Sequence, residues 1–324
     1  MIAVTGSTGF IGKHLISTLL ANGYLDRIRC LLLPGEEPVE GTESITGNLV
    51  TGDGLEHFLE GAGTVIHLAA KNIDYDGSGF EAVNVGGTSS LCEAARKAGI
   101  GRLIMLSSVG VYGHHPLVSA DENTPVRPDT AFSRSKAAAE SIALDGGRQG
   151  WFETIVLRHR FVYGLGDNYV MPRLIRAAKK MPFLLNRGRA EMSFVLAEDL
   201  AEVIRRFIEV KLTGAGLPVY HVTDGVPVSL KDIIGTICTA YGWKTPSKSI
   251  PYGLIYPPVR FFEKIRGIDP EVANSPLSSI RLKFAGQTQT FSNEKLMSLF
   301  PDLKLTPFAE GFPPLAEYYR RYAE

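Results

Sequence analysis

Two sets of residues in this chain have types and spacings suited to chemistry. The first is the run "VTGSTGFIG", which places Gly6, Gly9 and Gly12 between a short apolar stretch and an amphipathic one. Glycines at such a junction let the backbone turn tightly and bring its N–H groups up to an anion, and the dipole of the helix that follows adds its attraction. The chemistry implied is recognition of a dinucleotide pyrophosphate; the competing reading is a structural turn. The second set lies in "AFSRSKAAAE", where Phe132 and Lys136 stand four apart in a segment rich in Ala, Ser, Lys and Glu and so share one face of a helix. A lysine in such a helix is ordinarily a solvated charge, and here it sits one turn from an aromatic ring.

These residues need elements to position them. Short apolar runs alternate with longer amphipathic ones: "IAVTG", "FIGKHLISTLLANG", "RIRCLLLPG", "ESITGNL", "GLEHFLEGAG", "TVIHLAA", then the helix "FEAVNVGGTSSLCEAARKAG", the strand "RLIMLSS", the helix around Lys136 and the strand "FETIVLRHR". About six strands separated by helices over 160 residues predict an α/β fold with a parallel sheet covered on both faces. The glycine run falls at the start of the first β-α-β unit, where the anion-binding mechanism requires it. After Tyr163, prolines 172, 182, 227, 246, 251, 257 and 258 break the chain into short helices and loops, although "MSFVLAEDLAEVIRRFIEV" and "LPVYHVTDG" still read as strand plus helix and strand. A smaller domain interleaved with the sheet is expected there, closing on a last helix "FAEGFPPLAEYYRRYAE" with Pro313 and Pro314 near its start.

Composition narrows the function classes. The 324 residues carry 34 basic and 34 acidic side chains, are 44% hydrophobic and 21% charged, and so describe a globular protein without the basic bias of a nucleic-acid binder. Cys30, Cys92 and Cys238 are odd in number, widely spaced and set in apolar runs, which reads as reduced thiols. No metal-ligating cluster is visible in the pattern. Met1 leads straight into "IAVTG" without a basic or hydrophobic leader, and no apolar run reaches the length of a membrane span, so a cytoplasmic protein is expected.

The motifs "TGSTGFIG", "GNL" (47–49), "HLAA" (67–70), "VNVGGT" (83–88), "LSSVGVYG" (106–113), "SKAAAE" (135–140), "YGLGD" (163–167) and "FVLAEDLA" (194–201) together resemble the extended short-chain dehydrogenase/reductase family, also called the NAD-dependent epimerase/dehydratase family. The resemblance implies a Rossmann-type doubly wound parallel sheet, NAD or NADP as cofactor, and a smaller, interleaved C-terminal substrate lobe. The expected division is 1–164, with 190–224 adding to it, for the dinucleotide, and 165–189 with 225–324 mainly for the substrate. Carried over position by position, the cofactor contacts fall on Gly6, Thr8, Gly9, Phe10, Ile11 and Gly12, on Asn48 and Leu49 where the family usually has Asp-Leu beside the adenine, and on Leu68, Ala69 and Ala70. At the end of the second strand, where an acid would select NAD and an arginine NADP, this chain has Leu33, with Glu36 and Glu37 just beyond, so the choice stays open.

The family's proton-transferring tyrosine stands four residues before a lysine that binds the nicotinamide ribose. Here the lysine is Lys136 and the tyrosine position is Phe132, which has no proton to exchange. The Ser/Thr position for the substrate oxygen is assigned to Ser108, with Ser107 as its neighbour. Three readings follow: a substitute donor among Tyr112, Tyr163, His114, His115 or a water; a dinucleotide-binding protein with little or no turnover; or a phenylalanine introduced in place of the tyrosine. For His67 a buried structural role is expected, and for Tyr112 and Tyr163 packing.

Nucleotide-sugar epimerases and dehydratases of the family usually carry an Asn where this chain has Phe161, and "YGLGDNYVMPRLIRAAKK" looks more like the branch of 3β-hydroxysteroid dehydrogenases and flavonoid ketone reductases. The favoured reading is an oxidoreductase acting on a hydroxyl or keto group of a small organic substrate. A nucleotide-sugar epimerase or dehydratase is the rival, for which Arg173, Arg176, Arg187 and Arg189 would converge on a diphosphate. The segment 251–267 offers Tyr252, Leu254, Ile255, Tyr256, Val259, Phe261 and Phe262 to a pocket or lid, or equally to core packing, and Arg260, Lys264 and Arg266 make a short basic cluster there. A homodimer through the helices Ala82–Lys97 and Ser133–Leu144 is implied by the resemblance alone.

Overall fold

The alternation read from the sequence becomes a seven-stranded, all-parallel sheet in a computed structural model that describes residues 1–72, 79–212, 216–268 and 278–323. The chain divides into two units. One comprises residues 1–113, 125–159 and 197–222, the other 114–124, 160–196 and 223–324, of which 269–277 and 324 lie outside the description.

The first unit holds the sheet: β1 (Ile2–Thr5), β2 (Ile28–Leu32), β3 (Glu43–Thr46), β4 (Thr64–His67), β5 (Arg102–Ser108), β6 (Glu153–His159) and β7 (Val219–Val222), in the order β7-β6-β5-β4-β1-β2-β3. β1 and β2 are buried at every residue, which is why they read as unbroken apolar runs. Around the sheet run α1 (Phe10–Ala21), α2 (Leu55–Leu59), α3 (Gly87–Ala98), α4 (Ala131–Arg148) and α5 (Ala197–Glu209). One apolar layer joins Phe58, Leu91, Cys92, Ala139 and Ala143 to Val65, Leu103 and Met105. The strand order reverses between β1 and β4, the point at which doubly wound sheets bind ligands beyond the C-terminal ends of their strands.

Two local departures from the expected helices matter for the site. Residues Phe80–Gly86 form a π-helix that runs into α3, so the predicted single helix carries a wider turn with buried Asn84 inside it. α4 starts at a capping box, in which Thr130 and Ser133 satisfy each other's backbone N–H groups, and this fixes Phe132 and Lys136 in its first turns.

In the second unit, Leu117–Ala120, Gln289–Phe291, Glu191–Met192 and Val228–Ser229 form a four-stranded sheet, and Phe161–Tyr163 pairs with Phe194–Leu196. Those pairings place 114–124 and 160–164 here, whereas the sequence boundary of 164 puts them in the first unit. Tyr163, Phe194, Phe308, Phe312 and Tyr319 make its core. The closing helix covers Phe308–Leu315 and tightens into a 3₁₀ turn at Tyr318–Tyr322; Pro313 and Pro314 lie in its last turn rather than near its start. Pro257 and Pro258 do not break their segment, which is helical over Tyr252–Arg266, because the carbonyls they leave without an N–H partner belong to exposed Gly253 and Leu254. All three cysteines are buried free thiols, and desolvation pushes the Cys92 thiol up to about 12.

Candidate active site

The glycine run forms the turn between β1 and α1. Gly6 has φ +73°, and a Cβ there would stand 2.7 Å from the backbone N of Ala69. At Gly12 it would meet the Gly6 carbonyl oxygen at 2.2 Å, while at Gly9 the same oxygen lies 3.3 Å away. Gly6 and Gly12 therefore have no room for a side chain, and Gly9, the N-cap of α1, is constrained far less. The turn lies against the segment leaving β4, whose Leu68 and Ala69 N–H groups donate to the Thr5 carbonyl and hydroxyl. Thr8, Phe10 and Ile11 are half-buried along it. This bare-backbone cradle at the head of a helix and at the strand-order reversal fits a dinucleotide diphosphate.

Around that turn the remaining cofactor candidates fall unevenly. Leu49 is buried in the core against Gly87, and Asn48 uses its Oδ1 to accept from Val50 N at 2.8 Å, which leaves the amide N–H₂ for a ligand. Leu33 is half-exposed. Its backbone N–H donates to Glu36 Oε2 at 2.7 Å, and the other carboxylate oxygen accepts from Thr8 Oγ1 at 2.7 Å. Glu36, which the sequence places only slightly beyond the strand, is thus folded back so that its carboxylate bridges the end of β2 and the glycine turn.

Lys136 lies inside α4 at 6% exposure, and its Nζ donates to the Leu106 carbonyl of β5 at 2.8 Å. Desolvation lowers its pKa to about 8, against the opposing pull of Glu140 one turn on. Ser108 ends β5, half-buried, its Oγ accepting from Gly110 N at 3.1 Å. Phe132 is half-buried with its ring edge-on to Phe80, centroids 5.9 Å apart. A Cβ placed on Gly110 would stand 3.2 Å from Ser108 Oγ and 3.9 Å from the Phe132 ring, so the two side chains border the same small space. Asn84 ties this region together: its amide bridges the Lys71 backbone and Ser135 Oγ. The sequence motif contained Asn84, but only the π-helical turn shows where it points.

Other candidates have structural partners. His67 lies between Thr5 Oγ1 at 2.8 Å and Thr88 Oγ1 at 3.0 Å, and burial, then Lys136, drives its pKa down to about 3, so the ring is neutral. Ser107 donates to Glu140 Oε2, and Glu140 pairs with Arg158 in a buried ion pair. Arg158 donates in turn to the Tyr112 hydroxyl, which meets His221 Nε2 at 2.7 Å. Tyr112 is fully enclosed by this network, which sequence spacing alone does not disclose.

In the second unit Tyr163 is fully buried against Phe194 and Phe308, His114 stands edge-on to Phe284, and His115 is half-buried. The four arginines separate: Arg173 lies over the Tyr169 ring, Arg176 donates to the Pro172 carbonyl, and Arg187 and Arg189 line one surface cavity. Leu254, Phe261 and Phe262 are exposed, so the expectation of core packing does not hold for them. No group of metal-ligating side chains occurs among the described residues.

An all-parallel, doubly wound sheet with a glycine cradle at its strand-order reversal defines a dinucleotide-binding Rossmann fold. The family model for the NAD-dependent epimerase/dehydratase family matches residues 2–222, and the chain belongs to that family. The motif resemblance holds, and with it NAD-type cofactor use. The chain is 29% identical over 302 residues to 4-hydroxy-2-methyl-3-oxo-4-farnesyl-3,4-dihydroquinoline-1-oxide ketoreductase of Stigmatella aurantiaca, covering 90% of this chain and 88% of the relative. It is 26% identical over 309 residues to the decarboxylating sterol-4-alpha-carboxylate 3-dehydrogenase of Mus musculus, covering 92% and 84%. The solved structure of MoeE5 in complex with UDP-glucuronic acid and NAD superposes with a TM-score of 0.74 at 23% identity, over 99% of both chains. Its likeness establishes the fold.

Proposed function

We propose that this protein is an NAD-dependent oxidoreductase that interconverts a hydroxyl and a keto group on an apolar organic substrate, with Phe132 in place of the proton-donating tyrosine. The observation that carries the reading is the arrangement around α4: a lysine held against the central strand β5, a serine hydroxyl ending β5, and an aromatic ring without a hydroxyl bordering that serine. The bound nicotinamide supplies or accepts the hydride at the carbinol carbon. The chain's own parts divide the remaining work: the turn Gly6–Gly12 holds the diphosphate, Lys136 the nicotinamide ribose, and Ser108 the substrate oxygen. Water at Ser108 is the proposed source of the proton, ahead of His114 and His115, and Tyr112 and Tyr163 are fully buried.

Glu36 supports a preference for NAD over NADP, because a carboxylate fixed at the end of β2 binds ribose hydroxyls and repels a 2′-phosphate. Phe161 and the ketoreductase and sterol-dehydrogenase relatives support an apolar substrate over a nucleotide sugar. Residues 165–189 and 225–324 form the substrate lobe, and the protein works as a cytoplasmic homodimer through α3 and α4.

The test begins with calorimetric titration of NAD⁺, NADH and NADPH, where NADH is expected to bind more tightly than NADPH. NADH oxidation is then followed with steroidal and prenylated ketones and, separately, with UDP-sugars. Turnover of ketones alone supports the reading. Turnover of UDP-sugars alone assigns the rival epimerase activity, and binding without any turnover leaves a dinucleotide-binding protein. A monomer mass in gel filtration at micromolar concentration removes the dimer.

A further inference from the structure

Helix Tyr252–Arg266 buries the wrong face for an ordinary surface helix. On a wheel of 100° per residue, Leu254, Phe261 and Ile265 fall within about 40° of one another, and they are 69%, 66% and 65% exposed. Phe262 borders them at 53%. On the opposite side Glu263 is turned inward at 4% exposure, where its Oε1 accepts from Ser279 N at 2.7 Å. A charged residue thus anchors the helix, and its large apolar residues face outward as one stripe. Singly scattered apolar residues on a surface are ordinary, but a contiguous stripe marks a contact.

The charges decide what it contacts. Arg260, Lys264 and Arg266 flank the stripe, all three exposed, and the only acid of the segment is the inward Glu263. A two-fold contact with a second copy would set this net-positive helix face against an equally net-positive one. An anionic lipid surface accepts both features, with apolar side chains entering the acyl boundary and basic ones remaining among the headgroups. At 15 residues the helix is about 22 Å long and carries four charged side chains, so it suits the plane of the interface and not a crossing.

We propose that helix Tyr252–Arg266 is a membrane-surface docking element that rests on anionic bilayers through Leu254, Phe261 and Ile265. This surface stands independently of the reaction proposed above. The test is co-sedimentation of the full chain with phosphatidylcholine vesicles, with and without phosphatidylserine. Binding is expected to require phosphatidylserine and to weaken with salt. Phe261→Ser with Ile265→Ser is expected to abolish it, and Lys264→Gln with Arg266→Gln to lower the partition coefficient about 30-fold, near fivefold per charge. These side chains are exposed, so circular dichroism and the melting temperature serve as folding controls. Absence of binding to either vesicle, or equal binding by parent and variants, overturns the proposal. So does sedimentation velocity showing a parent dimer that Phe261→Ser with Ile265→Ser dissociates, since that would assign the stripe to a second copy.

Discussion

Phe132→Tyr adds one oxygen atom to a half-buried ring in the first turn of α4. Its effect can be worked from the position of Lys136. Side chains at i and i+4 stand roughly 5–6 Å apart, and an ammonium about 6 Å from a phenolate at an effective dielectric of about 20 stabilises it by about 3 kcal/mol. That corresponds to roughly two pKa units, bringing the introduced hydroxyl from about 10 toward about 8. Lys136 carries its charge at neutral pH because its own value, though depressed, is about 8. A positioned acid of this strength contributes about 10²- to 10⁴-fold, so kcat for ketone reduction is expected to rise by that factor. The assay is NADH oxidation by stopped flow across neutral and alkaline pH, for parent and variant, with NADH affinity measured alongside. The ratio of variant to parent rate, in which the titration of Lys136 common to both divides out, should fall as pH rises through about 8, at unchanged NADH affinity. A gain below about threefold in an active parent, or superimposable pH profiles, would refute the reasoning and show that another group already donates the proton.

The turn and the buried charges make further predictions. Gly6→Ala places a methyl 2.7 Å from Ala69 N at a positive φ, so it is expected to destabilise the fold by about 1–3 kcal/mol and abolish NAD⁺ binding, whereas Gly9→Ala should fold normally; urea melts and calorimetry compare them. Glu140→Gln leaves Arg158 as a buried unpaired charge and should cost about 3–5 kcal/mol, with Arg158→Met added to it recovering part of the loss. For Lys136 the folded pKa of about 8 lies below the ordinary lysine value of 10.5, so the unfolded chain binds more protons between those values and stability rises with pH through that window. The cost of the buried charge is complete below about pH 8 and relieved by up to about 3 kcal/mol near pH 10.5. The stability difference between the parent and Lys136→Met should therefore be level below pH 8 and climb above it; a level difference throughout excludes the shift.

The sheet was legible because fully buried parallel strands must be apolar at every position, and "IAVT" and "IRCLL" are. The glycine turn was legible for a related reason: Gly6 and Gly12 are sites where the backbone excludes any Cβ, so the residue type itself carries the geometry. Glu36 was not, because nothing local states that a loop folds back to set its carboxylate on Thr8. Glu140 and Arg158 are 18 residues apart on different elements, and only the register of β6 against α4 joins them. The π-helical turn at Asn84 also escaped, since one added residue leaves the apolar spacing helical. Helix Tyr252–Arg266 was not legible, since its prolines indicated a break, and its aromatics, which suit a pocket or lid as well as a core, include the exposed Phe261 and Phe262.

Two buried charges one turn apart on α4 show how a structural charge differs from a functional one. Glu140 is compensated within the protein: Arg158 meets it in a two-pronged ion pair and Ser107 donates to it as well. Such a pair fixes α4 against β5 and β6 and needs nothing further. Lys136 is equally buried, yet its described hydrogen bond is a single one to the Leu106 carbonyl, and no carboxylate stands within ion-pair distance among the described residues. An ammonium has three donors, so the fold desolvates this charge while using one of them. A leucine or methionine in that place would stabilise the helix packing without the cost of a buried cation. The cost is maintained at one position, four residues after Phe132 and beside β5. A buried cation with donors to spare is the kind of group that a bound ligand compensates, and this is what supports the proposed role of Lys136.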